Sequence, residues 1–212
     1  MKPILFNTEM VRAILDGRKT VTRRLVKPRY REGEAGFYVV TEKYTGDFRY
    51  IETYDEDESG TDRRINPPCF PGDILYVREK FACDGFNGYE FTYVYWTDVD
   101  DCGRVVWGDD EKGEWAPSSD YRWRPSIQMP KEAARIFLRV TDVRVERLQQ
   151  IMDDPPGLNN QIVREGCKYG CDFIALWDGT IKPSDREVYG WTANPWVWVI
   201  EFERCEKPEE GE

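Results

Sequence analysis

The chain has 212 residues and a mass of 25.0 kDa, with 40% hydrophobic, 14% aromatic and 33% charged residues. That is too much core material for a disordered protein, too much charge for a membrane-embedded one, and enough length to bury a sizeable core without a disulfide framework. The formal net charge is −10 and histidine is absent, which excludes a Ser-His-Asp triad, an imidazole metal ligand and an imidazole general base.

Met1-Lys2-Pro3 opens the sequence without an apolar signal core. Asn7 or Thr8 is placed to cap a short helix on which Met10, Ile14 and Leu15 recur at helical spacing, with Gly17 as its stop. A basic loop follows, and Val21 to Val26 is β-prone up to Pro28. The stretches at about 29–69 and 83–129 are polar and acidic and are read as two insertions into a smaller core, the first containing Tyr38-Val39-Val40 and the acidic run Asp55 to Glu58. Pro71-Gly72-Asp73 is a turn signal before a strand at Ile74 to Val77, and Phe91 to Trp96 is a further strand.

In Arg135 to Leu148 the apolar parity changes between Val140 and Val143, which predicts a bulge near Thr141 and Asp142. Short helices are expected within Leu158 to Glu165 and Asp172 to Trp177. The clearest period-two pattern puts Trp196, Trp198, Ile200 and Phe202 on one face of a last strand, which should line the core. Its apolar run, Trp196 to Ile200, falls far short of the roughly 20 residues that span a bilayer, so no membrane partner is expected. The sum is an α+β fold: a mixed sheet, closed on itself, with small helices, over residues 1–205, and an acidic tail at 206–212.

Charge is unevenly spread. Up to Arg31 there are nine basic residues against two acidic ones, so the basic start sits on an otherwise strongly acidic chain. Gly17-Arg18-Lys19-Thr20-Val21-Thr22-Arg23-Arg24 concentrates an amine, two hydroxyls and several guanidiniums at a helix-to-strand junction, a set suited to an oxyanion. On a strand Arg24 shares the parity of Thr22, which ranks it above Arg23 as a phosphate or carbonyl ligand, with Arg18, Lys19 and Thr20 beside it. A solvated basic turn is the bland alternative.

The six cysteines read as reduced thiols in a cytoplasmic protein. Cys167 and Cys171 have a spacing seen in some zinc sites, but without histidine and with scattered remaining thiols no metal is expected, and no cofactor is implied. Tyr76, Trp107, Trp123 and Trp191 are candidates to wall a cleft, whereas Trp196 and Trp198 read as core.

The order of helix, Gly-Arg-Lys-Thr-x-Thr-x-Arg, Pro-Gly-Asp before a strand, Val-Glu-Arg-Leu, a short helix ending Arg-Glu-Gly, and a final Trp-x-Ile-Glu-Phe strand resembles the ASCH family of the PUA-like superfamily. The blocks Trp123 to Pro130, Val143 to Leu148 and Ala193 to Phe202 resemble the larger phage and prophage members, which often carry histidine where this chain has Gln128. The resemblance implies a small β-barrel with a cleft that takes RNA, a nucleobase or a nucleotide. Some small members are amidohydrolases that deacetylate 4-acetylcytidine, and by this likeness Lys19, Thr22 and Glu165 would be the catalytic set. A phage structural or host-interaction protein is a third reading.

Overall fold

The structure is a computed structural model; it describes residues 1–26, 38–45, 48–55, 63–86, 91–107, 114–153 and 160–208, with only the backbone described at 38–45, 48–55, 63–64, 86, 106–107 and 114–115. Parts of both expected insertions, the acidic run after Asp55, Leu158 and the end of the acidic tail lie outside the described residues. The strands in chain order are β1 (Lys2–Leu5), β2 (Val21–Leu25), β3 (Tyr38–Thr45), β4 (Phe48–Asp55), β5 (Arg63–Ile65), β6 (Ile74–Arg78), β7 (Phe81–Phe86), β8 (Phe91–Tyr95), β9 (Arg104–Trp107), β10 (Glu114–Pro117), β11 (Phe137–Arg147) and β12 (Trp196–Cys205). The α-helices are α1 (Thr8–Leu15), α2 (Gln161–Arg164), α3 (Gly170–Thr180) and α4 (Arg186–Tyr189). The class is therefore mixed α+β, and no helix among the described residues is long and apolar enough to cross a membrane.

Two compact units divide the chain: residues 1–19, 74–139 and 204–212 form the first, and residues 20–73 and 140–203 the second. In the first, β1 runs parallel to β6, and the opening residues of β11 run antiparallel to β6 with Phe137 opposite Tyr76. Asn7 caps α1 by accepting a hydrogen bond from the Met10 N–H at 2.8 Å, satisfying one of the amides that a helix start leaves without a partner. Within the second expected insertion, β7 pairs with β8 and β9 with β10 as hairpins among the described residues, and β8 is the strand expected from Phe91. Buried Tyr76, Phe81, Met129 and Phe137 form one core of this unit, and Ala82, Val94, Val99 and Val105 a smaller one.

In the second unit β12 lies between β11 and β2, pairing antiparallel with β2 so that Glu201 opposes Val21 and Val197 opposes Leu25. Among the described residues of the first expected insertion, β3, β4 and β5 make an antiparallel meander. None of the strand orders returns on itself, so the described residues contain no closed barrel.

β11 runs unbroken from Phe137 to Arg147, with Leu138 and Val140 buried and then Val143, so its burial carries the parity change that the sequence reading assigns to a bulge near Thr141 and Asp142. One detail departs from the sequence reading. β12 is buried on both faces, because Val197 and Val199 are as buried as Trp198, Ile200 and Phe202. Val197 and Val199 join Val21, Leu148, Ile151, Ile162, Phe173 and Trp177 in the main core of the second unit.

Ile151 has no exposed surface and sits in that core. Ile151→Ala removes buried methyl groups and leaves a cavity, and urea unfolding should show a loss of about 2–5 kcal/mol. A loss below about 1 kcal/mol would mean that this cluster does not carry the unit's stability.

Candidate functional site

The Gly-Arg-Lys-Thr motif begins where α1 ends. Gly17 takes a φ of +73°, a left-handed conformation that strains any residue with a Cβ, and the turn lets the Arg18 and Lys19 N–H groups both donate to the Ala13 carbonyl at 2.9 Å. Arg18 then bonds Asp16, 2.8 Å from Nη2 to Oδ2, and stays half exposed. Lys19 does the opposite: it is 2% exposed, and its Nζ lies 5.5 Å from the centroid of the Phe6 ring, within cation–π range.

From Thr20 the chain enters the second unit. Thr20 donates its N–H to the Arg164 carbonyl, accepts the Phe202 N–H at its own carbonyl, and accepts a hydrogen bond from Arg164 Nε at Oγ1. Within β2 neighbouring side chains alternate: Val21, Arg23 and Leu25 share one face, Thr22 and Arg24 the other. Val21 and Leu25 pack with the main core of the unit. Arg23, between them in parity, is 3% exposed and donates from Nη1 to Glu165 Oε1 at 3.1 Å and from Nη2 to Glu146 Oε2 at 3.3 Å.

These contacts continue. Glu146 accepts from Arg144 Nε, Arg144 Nη1 donates to Glu201, and Glu201 accepts from Arg164 Nη2 at 2.7 Å. Arg164 is the residue before Glu165, so Glu165, Arg23, Glu146, Arg144, Glu201 and Arg164 form a ring of alternating sign that closes through one peptide bond. Short α2 makes this closure, because its Asn160 cap places Arg164 in the last turn and Glu165 at the C-cap.

The fields follow the geometry. Burial pushes the Glu201 carboxyl up, but hydrogen bonds from Arg164 and Arg144 outweigh it and hold the group below its ordinary value. Burial likewise disfavours the charged Arg144, and its bonds to Glu146 and Glu201 reverse that and raise its pKa. Arg24 is only partly covered as a residue, yet its guanidinium is desolvated enough to lower its pKa, against the opposing pull of Glu165 and Cys69.

The described residues bury five polar or charged side chains: Lys19, Thr22, Arg23, Glu79 and Glu165. Four belong to the motif or to the carboxylate that the sequence associates with it. Glu79 is accounted for in the first unit, where it accepts from Arg135 Nε at 3.0 Å and from the Thr97 hydroxyl at 2.6 Å. Glu165, at 2% exposure, is no solvated helix end, and Arg164 bonds Thr20 and Glu201 instead of neutralising it.

Sequence reasoning passed over Arg23 in favour of Arg24, yet Arg23 is the guanidinium that meets Glu165. A signal existed in Asp142-Val143-Arg144-Val145-Glu146, where three charges of alternating sign share one strand parity. The cleft-wall candidates are absorbed by packing: Tyr76 is core, Trp123 meets Trp96 edge-on at 4.9 Å, and Trp191 meets Phe173 edge-on at 6.2 Å. Trp107's side chain lies outside the described residues. Cys167 packs at the edge of the main core and Cys171 is exposed. No protein-family model, curated protein or solved structure matches the chain.

Because the folded state holds Glu201 below its ordinary value near 4.5, its contribution to stability is present above that pH and is lost as pH falls through the depressed folded value. Urea midpoints measured between about pH 3 and 7 should fall on the acid side in the wild type, and Glu201→Gln should flatten that part of the curve. An unchanged acid limb in the variant would show that the ring does not couple this carboxylate to folding.

Proposed function

We propose that this chain recognises a single nucleobase or nucleoside, free or within RNA and possessing its natural or a modified base, at the buried side chains of the Gly17 to Arg24 motif. The carrying observation, within the second unit, is that Thr22 and Arg23 are buried and that Glu165 is bound to Arg23. Dehydrating such groups costs stability, and folds retain that cost mainly where a ligand or a reaction uses them. The PUA-like barrel and its cleft belong to the same reading and rest on the ASCH resemblance of the motif and of the later blocks.

The state of the cations favours a base over a phosphate backbone. Arg18 is bonded to Asp16, and Arg23, Arg144 and Arg164 are bonded to carboxylates. A guanidinium neutralised within the protein attracts a polyanion weakly, and the net charge of −10 opposes one. A neutral heterocycle needs no excess charge, only donors and acceptors held in place. Lys19, Thr20 and Thr22 supply donors, and Glu165 is an acceptor when ionised.

Titration calorimetry with cytidine, 4-acetylcytidine, uridine, adenosine and guanosine, and with a short RNA, tests this. At least one nucleoside should bind, Lys19→Met and Thr22→Val should each weaken it about tenfold or more, and binding should vary little with salt. A chain that takes none of these ligands, or one whose only RNA binding disappears steeply with salt and is indifferent to both substitutions, overturns the reading.

A hydrolytic second reading rests on the resemblance that makes Lys19, Thr22 and Glu165 catalytic, and within the second unit Thr22 and Glu165 are buried. In it, neutral Lys19 takes the Thr22 hydroxyl proton as Oγ adds to the acyl carbonyl of an acylated nucleoside. The C–N bond then breaks, the proton goes to the departing nitrogen, and water releases the acyl group from Thr22. Turnover of 4-acetylcytidine to cytidine and acetate, abolished in Lys19→Ala and in Thr22→Ala, is the expected result; binding of the same compound without turnover leaves recognition alone.

A further inference from the structure

We infer that Arg23 is a positioning residue: it fixes the Glu165 carboxylate for the ligand, and the closed ring of charges exists to fix Arg23. The inference rests on the nucleoside-recognition reading above and adds a residue to it. Arg23 and Glu165 have side chains that are 1% and 2% exposed, joined at 3.1 Å. No bulk water competes for either group, so this bond is a constraint on where the Oε1 atom of Glu165 stands, beside the field of Arg24.

Stability alone does not explain the pair. Arg23 shares the parity of Val21 and Leu25 on β2, and both neighbours are built into the apolar core of the unit. An aliphatic residue would suit such a place, and buried ion pairs are often no better for folding than apolar residues of the same volume. The arginine is also incompletely satisfied: its Nε–H is buried and has no hydrogen-bond partner. The fold thus accepts a poorly satisfied cation in its core, with both terminal nitrogens committed to carboxylates, Nη1 to Glu165 and Nη2 to Glu146.

The second contact explains the ring. A guanidinium held by one carboxylate can pivot about that bond, whereas one held at both terminal nitrogens cannot. Glu146 is itself held by Arg144, and Arg144 by Glu201, whose other partner Arg164 is adjacent to Glu165 in the chain. Each member is oriented by the next, and the last is joined covalently to the first. Lysine, a point charge with no planar fork, would keep the sign at residue 23 and lose the two-point hold.

The test is a double-mutant cycle on ligand affinity, using the full chain and the tightest-binding compound among cytidine, 4-acetylcytidine, uridine, adenosine and guanosine. Arg23→Met should weaken binding about tenfold or more, Arg23→Lys should recover part of that loss, and Glu165→Gln should weaken binding by itself. In the Glu165→Gln background, Arg23→Met should cost no further affinity, because Arg23 acts only through that carboxylate. The double variant also removes the buried carboxylate charge that Arg23→Met would deprive of this guanidinium, so it serves if the single variant does not fold; circular dichroism and urea midpoints follow folding in every case.

Additive losses in the cycle overturn the positioning role and leave nucleoside recognition intact, as does an Arg23→Met variant that binds like the wild type. If Arg23→Met does not fold, a double variant that binds at least tenfold more weakly than Glu165→Gln overturns it, and equal affinity supports it. Absence of binding to every compound in the wild-type chain overturns the recognition reading and the inference with it.

Discussion

The second unit is organised around a buried ion pair. Arg23 projects from the middle of β2 into an otherwise apolar face, and Glu165 meets it from the end of α2. A charge in that position is tolerated only if it is neutralised nearby and if its partner is neutralised or solvated in turn. That requirement propagates outward through Glu146, Arg144 and Glu201 to Arg164, drawing side chains from β11 and β12. The other four members are wetter than the pair: the Glu146, Arg144, Glu201 and Arg164 side chains keep about a quarter of their surface or somewhat less in solvent, against 1% and 2% for Arg23 and Glu165. The dry part of the ring is the pair itself.

The first unit handles the same problem differently. Glu79 is also a buried carboxylate, but Arg135 and the Thr97 hydroxyl satisfy it locally, and Asp98 takes the remaining guanidinium nitrogen. Arg135 also lies over the Tyr95 ring, whose hydroxyl donates to the Ala133 carbonyl and whose pKa is pushed up to about 12, mainly by burial. All of these groups serve to close the unit's own core. The contrast separates a clamp, where every donor finds an acceptor, from the Arg23 arrangement, where one donor does not.

Much of this was legible in the sequence where local chemistry decides the outcome. Asn7 and Gly17 mark the ends of α1, and the motif's division into a loop at Lys19 and a strand at Thr22 follows from helix and strand signals. Long-range pairing was not legible. Strand parity separates Arg23 from Thr22 but says nothing about the Glu165 that meets Arg23 from α2's end. The pairing of β3 with β4 was not legible in the hydrophilic stretch that contains them, because strand pairing needs only backbone groups and a partner. β12 read as one-faced because Trp and Ile dominate its pattern, and valines at 197 and 199 are equally at home under a layer of helices.

The pairing of β2 with β12 also bears on biosynthesis. Val21 and Glu201 are partners separated by 180 positions, and among the described residues β12 is the only strand beside β2. A ribosome therefore delivers the motif on the order of ten to forty seconds ahead of the backbone that must zip against it, at ordinary elongation rates. Through that interval the nascent segment carries a bare hydrogen-bonding edge and several uncompensated cations, so its maturation is governed by loop-closure entropy and by whatever shields it in the meantime.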